Sequence, residues 1–442
     1  MNAKTVRVGI FDQIVSGGGV RLFTVKLLEE FSRLARNEWH FHLMWPLFDS
    51  SNVFLPAPHL PHTSFERIGV DADADTRNRI FTTLKKSDDV KKSSRSDNVA
   101  AVKHFVDYEH RARTLEQQSL RALDGRGLRW LDARTNEFDL IFMPYPYLTL
   151  PQSEEWQPRK PIVITLHDLA HERTDAWSDL TKPLRREVKM WTELADLVVF
   201  SSDFICNEAR EIYDLPASRA RRIYLVPNET GACEHSEHEQ HESEQSEHEQ
   251  SADVLRRYGI NRRGYVFTLG WAARHKHVET IIEGFALFKQ RSNMDVALVI
   301  AGPNTETLLH SETYGLEINR DLYALGYVRD EDIPTLHQNA SLVVSASISE
   351  AGLNSVIMDA MYHGKAVLCS NIPQFTERLG TDDTLALMFD PYSPQSLADA
   401  LLKHFNDPAQ AAWRVQNARQ FIRSRNLSHV GREYLEAFAS VL

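Results

Sequence analysis

The chain has 442 residues, of which 42% are hydrophobic and 25% are charged, and its formal net charge is −11 at pH 7. This composition is typical of a soluble globular protein, and the length favours two domains over one core. The acidic balance argues against broad binding of nucleic acid, and three cysteines are too few for a disulfide framework or a zinc site. The first residues lack the apolar stretch of a signal peptide, and no run is long enough to span a bilayer, so we expect a cytoplasmic protein.

The first half of the chain alternates strand patterns with amphipathic helices. It opens with VRVGIFDQIV, a glycine run at 17–19 and the helical stretch VRLFTVKLLEEFSRLAR, and continues with the apolar runs FDLIFMPYP, KPIVITLHD and ADLVVFSSD. This alternation predicts a parallel sheet with helices on both faces. We therefore predict a Rossmann-like domain over residues 1–230, with a polar helical insertion at about 71–130.

Residues 234–250 read EHSEHEQHESEQSEHEQ. A tract of this composition cannot bury enough apolar surface to offset its chain entropy. Its histidines could collect metal ions, but a solvated linker is the simpler interpretation. We predict a disordered acidic linker over 231–255 that separates two domains.

A second series of strand and helix patterns follows the linker. The strand patterns are GYVFTLGWAA, DVALVIAGP, LYALGYV, ASLVVSAS and KAVLCSN. They predict a second Rossmann-like domain over 256–412, and residues 413–442 predict C-terminal helices that pack back towards the first domain. The predicted fold class is α/β, with two doubly wound domains facing each other across a cleft, where open α/β sheets bind ligands.

Polar residues follow several of the predicted strands. The glycine run at 17–19 would let the backbone approach an anion at a helix N-terminus, although a tight turn explains it equally well. His167 and Asp168 follow KPIVITL, Asn304 follows DVALVIAGP, and Glu350 follows ASLVVSAS. Each alone is ordinarily a turn or a cap, but together they predict one ligand site.

Two cations, Arg274 and Lys276, lie between a predicted strand and a predicted helix. That position suits a diphosphate, although a solvated loop is an equal alternative. The stretch DADAD at 71–75 could bind a metal, but no strand precedes it, so a solvated loop or helix cap is favoured. Without a metal, the charge of a diphosphate would depend on these two cations.

Four segments of the second half resemble the GT-B glycosyltransferases, specifically the retaining family 4 group. They are TLGWAARHKHVETIIEGF, ALGYVRDEDIPTLHQNASLVVSAS, SEAGLNSVIMDAMYHGKAVLCSNIPQFTE and LMFDPYSPQSLADAL. In the first half, GGGVRLF, PIVITLHD, ADLVVFSSDF and YLVPNE match the order of elements in that family. The resemblance implies transfer of a sugar from a nucleotide-diphosphate sugar, with retained configuration, to a saccharide or lipid-linked acceptor.

The resemblance also implies roles for individual residues. Glu350 would contact the donor sugar at the transferring centre, and His167 would lie near the sugar and the leaving oxygen. Asp359 would bind the ribose, and Tyr327 and Val328 would lie near the base. The residues that would bind the donor diphosphate are Gly18, Gly19, Arg274, Lys276, Gly352 and Leu353. No metal or other cofactor is implied.

Three features depart from the family pattern. Trp271 stands where many relatives have arginine, the second acid is Asp359 instead of glutamate, and it follows Glu350 by nine positions instead of eight. These departures motivate an alternative, a non-catalytic GT-B subunit that binds a nucleotide or glycan. A sugar-nucleotide epimerase or phosphorylase on the same architecture is a further alternative.

The expected partners are a UDP- or GDP-sugar donor and a glycan or lipid-linked acceptor, with no nucleic acid. The basic stretch LKKSDDVKKSSRSD could meet an anionic membrane surface, which would place the protein peripherally at the inner membrane face. A solvated charged face is the simpler interpretation of that stretch.

Overall fold

The structure is a computed structural model that describes residues 5–11, 19–46, 60–68, 135–146, 159–173, 178–227, 251–270, 274–302, 305–309 and 314–442. The predicted insertion at 71–130, with its DADAD stretch, lies outside these ranges, as do residues 231–250 of the predicted linker. Gly18, Trp271 and Asn304 also lie outside them. The chain divides into two compact units, one formed by Met1–Leu225 with Asn426–Leu442 and the other by Val226–Arg425.

The first unit is built on a parallel sheet of seven described strands in the order β3-β2-β1-β4-β5-β6-β7. The strands are β1 (Val6–Phe11), β2 (Trp39–Pro46), β3 (Thr63–Ile68), β4 (Leu140–Met143), β5 (Ile162–Leu166), β6 (Leu197–Phe200) and β7 (Ala220–Arg222). Every residue of β4, β5 and β6 is buried, as expected when both faces of a sheet are covered. The strand order reverses between β1 and β4, and open α/β sheets bind ligands at the carboxyl ends of the strands beside such a reversal.

Helices of the first unit come from both ends of the chain. They are α1 (Gly19–Leu34), α2 (Ala170–Arg173), α3 (Ser178–Leu194), α4 (Asp203–Ile212) and α11 (Leu427–Ala439). The last helix approaches α1 closely at Gly431, where an added Cβ would lie 2.8 Å from Leu34 Cδ1 and 2.9 Å from Glu30 Cγ. Glycine therefore allows the two helices to pack at this distance.

Aromatic side chains of α11 fill the core beneath α1. Phe438 lies edge-on to Phe31, with ring centroids 5.6 Å apart, and Tyr434 lies 5.5 Å from Phe142 of β4. The Tyr434 hydroxyl also lies 3.0 Å from Thr165 Oγ1 of β5. The C-terminal helix thus completes the core of the first unit.

The second unit is built on a parallel sheet of six described strands in the order β10-β9-β8-β11-β12-β13. The strands are β8 (Tyr265–Leu269), β9 (Leu298–Ala301), β10 (Leu322–Ala324), β11 (Ala340–Ser345), β12 (Ala366–Ser370) and β13 (Leu387–Phe389). Its order reverses between β8 and β11. The two parallel sheets with their flanking helices confirm the predicted α/β class with two Rossmann-like domains.

The numbered helices of the second unit are α5 (Val278–Arg291), α6 (Ile333–Asn339), α7 (Ser355–Tyr362), α8 (Pro373–Leu379), α9 (Pro394–Asn406) and α10 (Pro408–Arg423). Residues 251–257 are also helical. The sequence assigned 251–255 to the disordered linker, and the structure corrects this, because Val254 and Leu255 are buried and the helix has an apolar face to cover.

The two C-terminal helices belong to different units. α10 contacts α7 and lies in the second unit, whereas α11 contacts α1 and lies in the first. The chain therefore returns to the first unit at residue 426, while the sequence placed the start of the returning segment at 413. Within the described ranges, no helix combines the length and apolar character needed to cross a membrane.

Candidate functional site

The loops that follow β8 and β11 meet at the reversal of the second sheet. Lys276 lies in the loop after β8 and Glu350 in the loop after β11, and Lys276 Nζ donates to Glu350 Oε1 at 2.5 Å. The backbone N–H of Ile348 also donates to the carbonyl oxygen of His275 at 2.9 Å. A partly buried ion pair and a backbone hydrogen bond thus join the two loops where the fold favours ligand binding.

The Glu350 carboxylate is charged although its side chain is only 11% exposed. Burial alone would raise its pKa. The charge of Lys276, together with hydrogen bonds from Lys276, Ser347 and Asn354, outweighs burial and lowers the pKa below the ordinary value of 4.5. The site therefore holds a fixed negative charge beside a fixed positive one at neutral pH.

Asn354 connects the start of α7 to this pair. Its Oδ1 accepts from the backbone N–H of Ile357 at 3.0 Å, which caps the helix, and its Nδ2 donates to Glu350 Oε1 at 3.0 Å and to Ser345 Oγ at 3.1 Å. The helix begins at Ser355, and its buried residues include Val356, Ile357, Ala360 and Met361. The sequence analysis did not identify the contact of Asn354 with Glu350. The sequence signal for this contact is that Asn354 lies four residues after Glu350, the carboxylate in the loop after β11.

The other predicted donor residues of the second unit lie on the same two loops or on α7. Gly352 and Leu353 are buried in the turn between Glu350 and α7. Arg274 is exposed at the start of the short 3-10 helix Arg274–Lys276. Asp359 is half-buried on α7, four residues after its first residue. The structure thus brings most predicted donor residues of this unit to one edge of its sheet.

The predicted base residues lie after the outermost strand. Tyr327 and Val328 follow β10, which is separated from β8 by β9, and Val328 is buried. The preceding residue, Gly326, has a φ of 66°, and its N–H donates to Thr305 Oγ1 at 3.1 Å. Its carbonyl oxygen accepts from the N–H of Gly302 at 2.7 Å. These bonds fix the ends of β9 and β10 against each other.

His167, in the first unit, follows β5 and is buried. Its Nδ1 lies 3.0 Å from Ser201 Oγ, and its ring meets that of Phe23 edge-on, with centroids 5.7 Å apart. Burial lowers its pKa to about 4, against the opposing effect of a hydrogen bond that the imidazole donates to the Pro144 carbonyl oxygen. The imidazole is therefore neutral at physiological pH. Sequence reasoning missed Ser201, which follows β6, the strand beside β5. Gly19, the other predicted site residue described in this unit, is the first residue of α1.

A polar network fixes the segment that follows His167. His171 Nε2 lies 2.9 Å from the Tyr213 hydroxyl, which donates to Glu172 Oε1 at 3.1 Å. Arg185 Nε of α3 donates to the His171 carbonyl at 2.8 Å. These contacts tie α2 to α3 and to the end of α4, and they support the segment that carries His167.

Two family profiles match the chain, one on each half. Glycosyl transferases group 1 matches residues 255–421, and Glycosyltransferase Family 4 matches residues 59–228. The first match contains the Lys276–Glu350 pair, and the second contains His167.

Curated relatives are similar to part of the chain. O-antigen chain mannosyltransferase B of Escherichia coli is 24% identical over 278 residues, which is 60% of this chain and 66% of that protein. Alpha-D-kanosaminyltransferase of Streptomyces kanamyceticus is 26% identical over 272 residues, 58% of this chain and 64% of that protein. The chain spans a little under two thirds of the length of these relatives.

The fold has counterparts among solved structures. The crystal structure of Anabaena HepE in complex with UDP matches 98% of this chain and 100% of its own, with a TM-score of 0.61 and 18% identity. At that identity the likeness concerns the fold alone. Since each half matches a glycosyltransferase profile and each unit has a Rossmann-like sheet, the chain belongs to the GT-B glycosyltransferases of the family 4 type.

Proposed function

We propose that the protein is a retaining glycosyltransferase that moves a sugar from a nucleotide-diphosphate sugar to a saccharide or lipid-linked acceptor. The observation that carries the proposal is the Lys276–Glu350 pair at the reversal of the second sheet. The names of the two curated relatives, which describe sugar transfer, support the reaction. The structures of Anabaena HepE with UDP and with UDP-glucose support the class of donor.

Lys276 can serve the donor and Glu350 together. An ammonium group has three N–H donors, and Glu350 uses one of them at 2.5 Å. The remaining donors, with Arg274 and the backbone N–H groups of Gly352 and Leu353 just before α7, would hold the diphosphate. Departure of the nucleoside diphosphate builds negative charge on its oxygens, and fixed positive groups at that place lower the barrier.

The carboxylates would act on the two sugars of the donor. The transferring sugar gains oxocarbenium character, which a nearby charged carboxylate and bound hydroxyls stabilise. Glu350 is charged and held by two partners, Lys276 and Asn354, so it suits this role. Asp359 would bind the ribose, and Tyr327 and Val328 would lie near the base. In the first unit, His167, as a neutral imidazole, would exchange hydrogen bonds with the sugar or the leaving oxygen, and Gly18 and Gly19 would approach the phosphates.

We propose that the reaction needs no divalent metal, because cations and N–H groups of the chain can offset the charge of the diphosphate. Activity measured in excess EDTA is expected to equal activity measured with added Mg²⁺ or Mn²⁺. Loss of activity in EDTA, restored by a metal, would contradict this part of the proposal.

The function is tested by release of UDP or GDP from a panel of UDP- and GDP-sugars in the presence of glycan and lipid-linked acceptors. We expect turnover by the wild type and its loss in Glu350→Ala and Lys276→Ala variants whose circular dichroism matches the wild type. Full activity in a folded Glu350→Ala variant would overturn the site. Nucleotide binding without turnover across the panel would overturn the reaction.

The cellular place of the reaction is also a proposal. A lipid-linked acceptor would bring the protein to the inner membrane face from the cytoplasm. Co-sedimentation with liposomes, with and without the basic stretch at residues 84–97, tests whether that stretch contributes to membrane contact. Equal sedimentation of the two proteins would exclude that role.

A further inference from the structure

A polar cavity opens at the amino edge of the first sheet, the edge opposite the carboxyl ends where His167 lies. Its volume is about 530 Å³, and its lining includes Asp196, Ser218, Arg219, Arg221 and Ser440. These residues lie at the starts of β6 and β7 and just after α11. We call it the amino-edge cavity.

Arg221 lines this cavity and has a buried donor atom to which the described residues offer no acceptor. Its Nη1 is buried, and among the described residues none accepts a hydrogen bond from that atom. Burying a charged donor without an acceptor is costly, so a native chain usually supplies one. An anion bound in the cavity would supply that acceptor.

Arg219, at the same cavity, is held in place by the end of α3. Its Nη2 donates to the Thr192 carbonyl at 2.6 Å, and its Nη1 donates to the Glu193 carbonyl at 3.3 Å. Its Nε is buried and has no acceptor among the described residues. The guanidinium is thus anchored, and its charge stays at the cavity.

Asp196 is the acid in the lining, and its Oδ2 accepts from the backbone N–H of Ile162 at 2.8 Å. This bond holds the Asp196 carboxylate at the start of β5. The lining contains two arginines and one acid, so its formal net charge is positive.

Arg222 provides the contrast to Arg221 on the same strand. Successive residues of a strand point to opposite faces. Arg222 Nε donates to Asp203 Oδ1 at 3.3 Å, and its guanidinium lies 3.9 Å from the ring centre of Tyr224. Arg222 is therefore paired, whereas Nη1 of Arg221 has no acceptor among the residues that the structure describes.

We propose that the amino-edge cavity binds a phosphate group, either of a soluble anion or of a phospholipid headgroup. The guanidinium fork of Arg221 matches two phosphate oxygens. Ser218 lines the same cavity, and its hydroxyl offers a further donor to a phosphate oxygen. Since the strands are parallel, this site and the His167 edge lie at opposite ends of the sheet.

The test compares Arg221→Gln with Arg222→Gln, which remove the same charge one residue apart. Both are made in a Lys276→Ala background, so that the diphosphate site proposed in the second unit does not contribute. Binding of inorganic phosphate is measured by calorimetry. Membrane binding is measured by flotation with phosphatidylcholine vesicles that contain or lack phosphatidylglycerol.

We expect Arg221→Gln to weaken binding by about tenfold or more, as for loss of a hydrogen bond to a charged group. Arg222→Gln should bind as the parent does. This pattern with phosphate assigns the cavity to soluble anions, and the same pattern with phosphatidylglycerol vesicles alone assigns it to headgroups. Equal effects of the two substitutions, or no binding of either probe by the parent, would overturn the proposal.

Discussion

Lys276 and Glu350 are 74 positions apart in the sequence, and Lys276 is the main charged neighbour of Glu350 at the edge of the second sheet. Such a pair stabilises the fold only while both charges are present, since removing one leaves the other buried without compensation. The amide that replaces the acid in Glu350→Gln has nearly the same shape but no charge. This substitution therefore separates the effect of the Glu350 charge on stability from the effect of its packing.

The pair predicts a dependence of stability on pH. The folded-state pKa of Glu350 is lowered, so its contribution is fully present above the unfolded value of 4.5 and is lost as the pH falls through the lower folded value. We expect Glu350→Gln to have a smaller free energy of unfolding than the wild type at neutral pH. The difference should shrink below pH 4.5, as measured by urea denaturation. Glu331→Gln, a change at an exposed acid, is the matched control, and a difference independent of pH would contradict the assignment.

The lowered pKa of His167 predicts a second dependence of stability on pH. Its folded-state pKa of about 4 lies below the ordinary 6.5, so the unfolded chain takes up a proton first as the pH falls. Its contribution to stability is therefore present above pH 6.5 and is lost between there and about 4. Urea denaturation should show the wild type losing stability relative to His167→Gln across this range. Parallel curves for the two proteins would mean that His167 does not stay neutral in the folded state.

At the scale of the elements, close helix packing depends on glycine where backbones approach. Gly431 brings α11 onto α1, and Gly284 does the same for α5 against α9, where an added Cβ would lie 2.8 Å from Leu397 Cδ2. In both cases the obstructing atoms belong to packed side chains. Any larger side chain must therefore push two helices apart.

Gly431→Leu should destabilise the protein by about 1–3 kcal/mol, the usual effect of overpacking a core. Arg432→Leu, at the next and exposed position of the same helix, should change stability by less than about 0.5 kcal/mol. Denaturant unfolding of the two variants measures the difference. Equal stability of both would show that α11 does not press on α1 at this point.

Much of the fold was predictable because buried parallel strands give continuous apolar runs, such as IVITL and LVVF. The same logic predicted that Glu350 and His167 would follow strands. It could not pair Lys276 with Glu350 or His167 with Ser201, because those contacts depend on which strands are neighbours. The helix at 251–257 was missed since its first residues continue a polar composition, and its burial depends on tertiary contacts.

At the scale of the whole molecule, the first unit is discontinuous in sequence. Its sheet and most of its helices come from the first 225 residues, and its core is completed by α11. Periodicity predicted C-terminal helices but gave no sign that α10 and α11 separate between the units. That division follows from which apolar faces they cover.

Substitutions of Tyr434 measure how much α11 contributes to the stability of the first unit. Tyr434→Phe removes the hydrogen bond with Thr165 and should cost about 0.5–1.5 kcal/mol. Tyr434→Ala also removes a buried ring and should cost about 3–5 kcal/mol in total. Denaturant unfolding of both variants separates the two contributions. An alanine variant as stable as the phenylalanine variant would show that the ring is not needed in this core.

The late position of α11 also affects how the protein is made. A ribosome adds about 5–20 residues per second, so the 200 residues from Val226 to Arg425 take about 10–40 s to translate. During that interval the nascent first unit lacks the helix that covers Phe31 and Phe142. The unit whose synthesis begins first therefore cannot complete its core until α11 has been made, and until then its uncovered apolar face offers chaperones a binding surface.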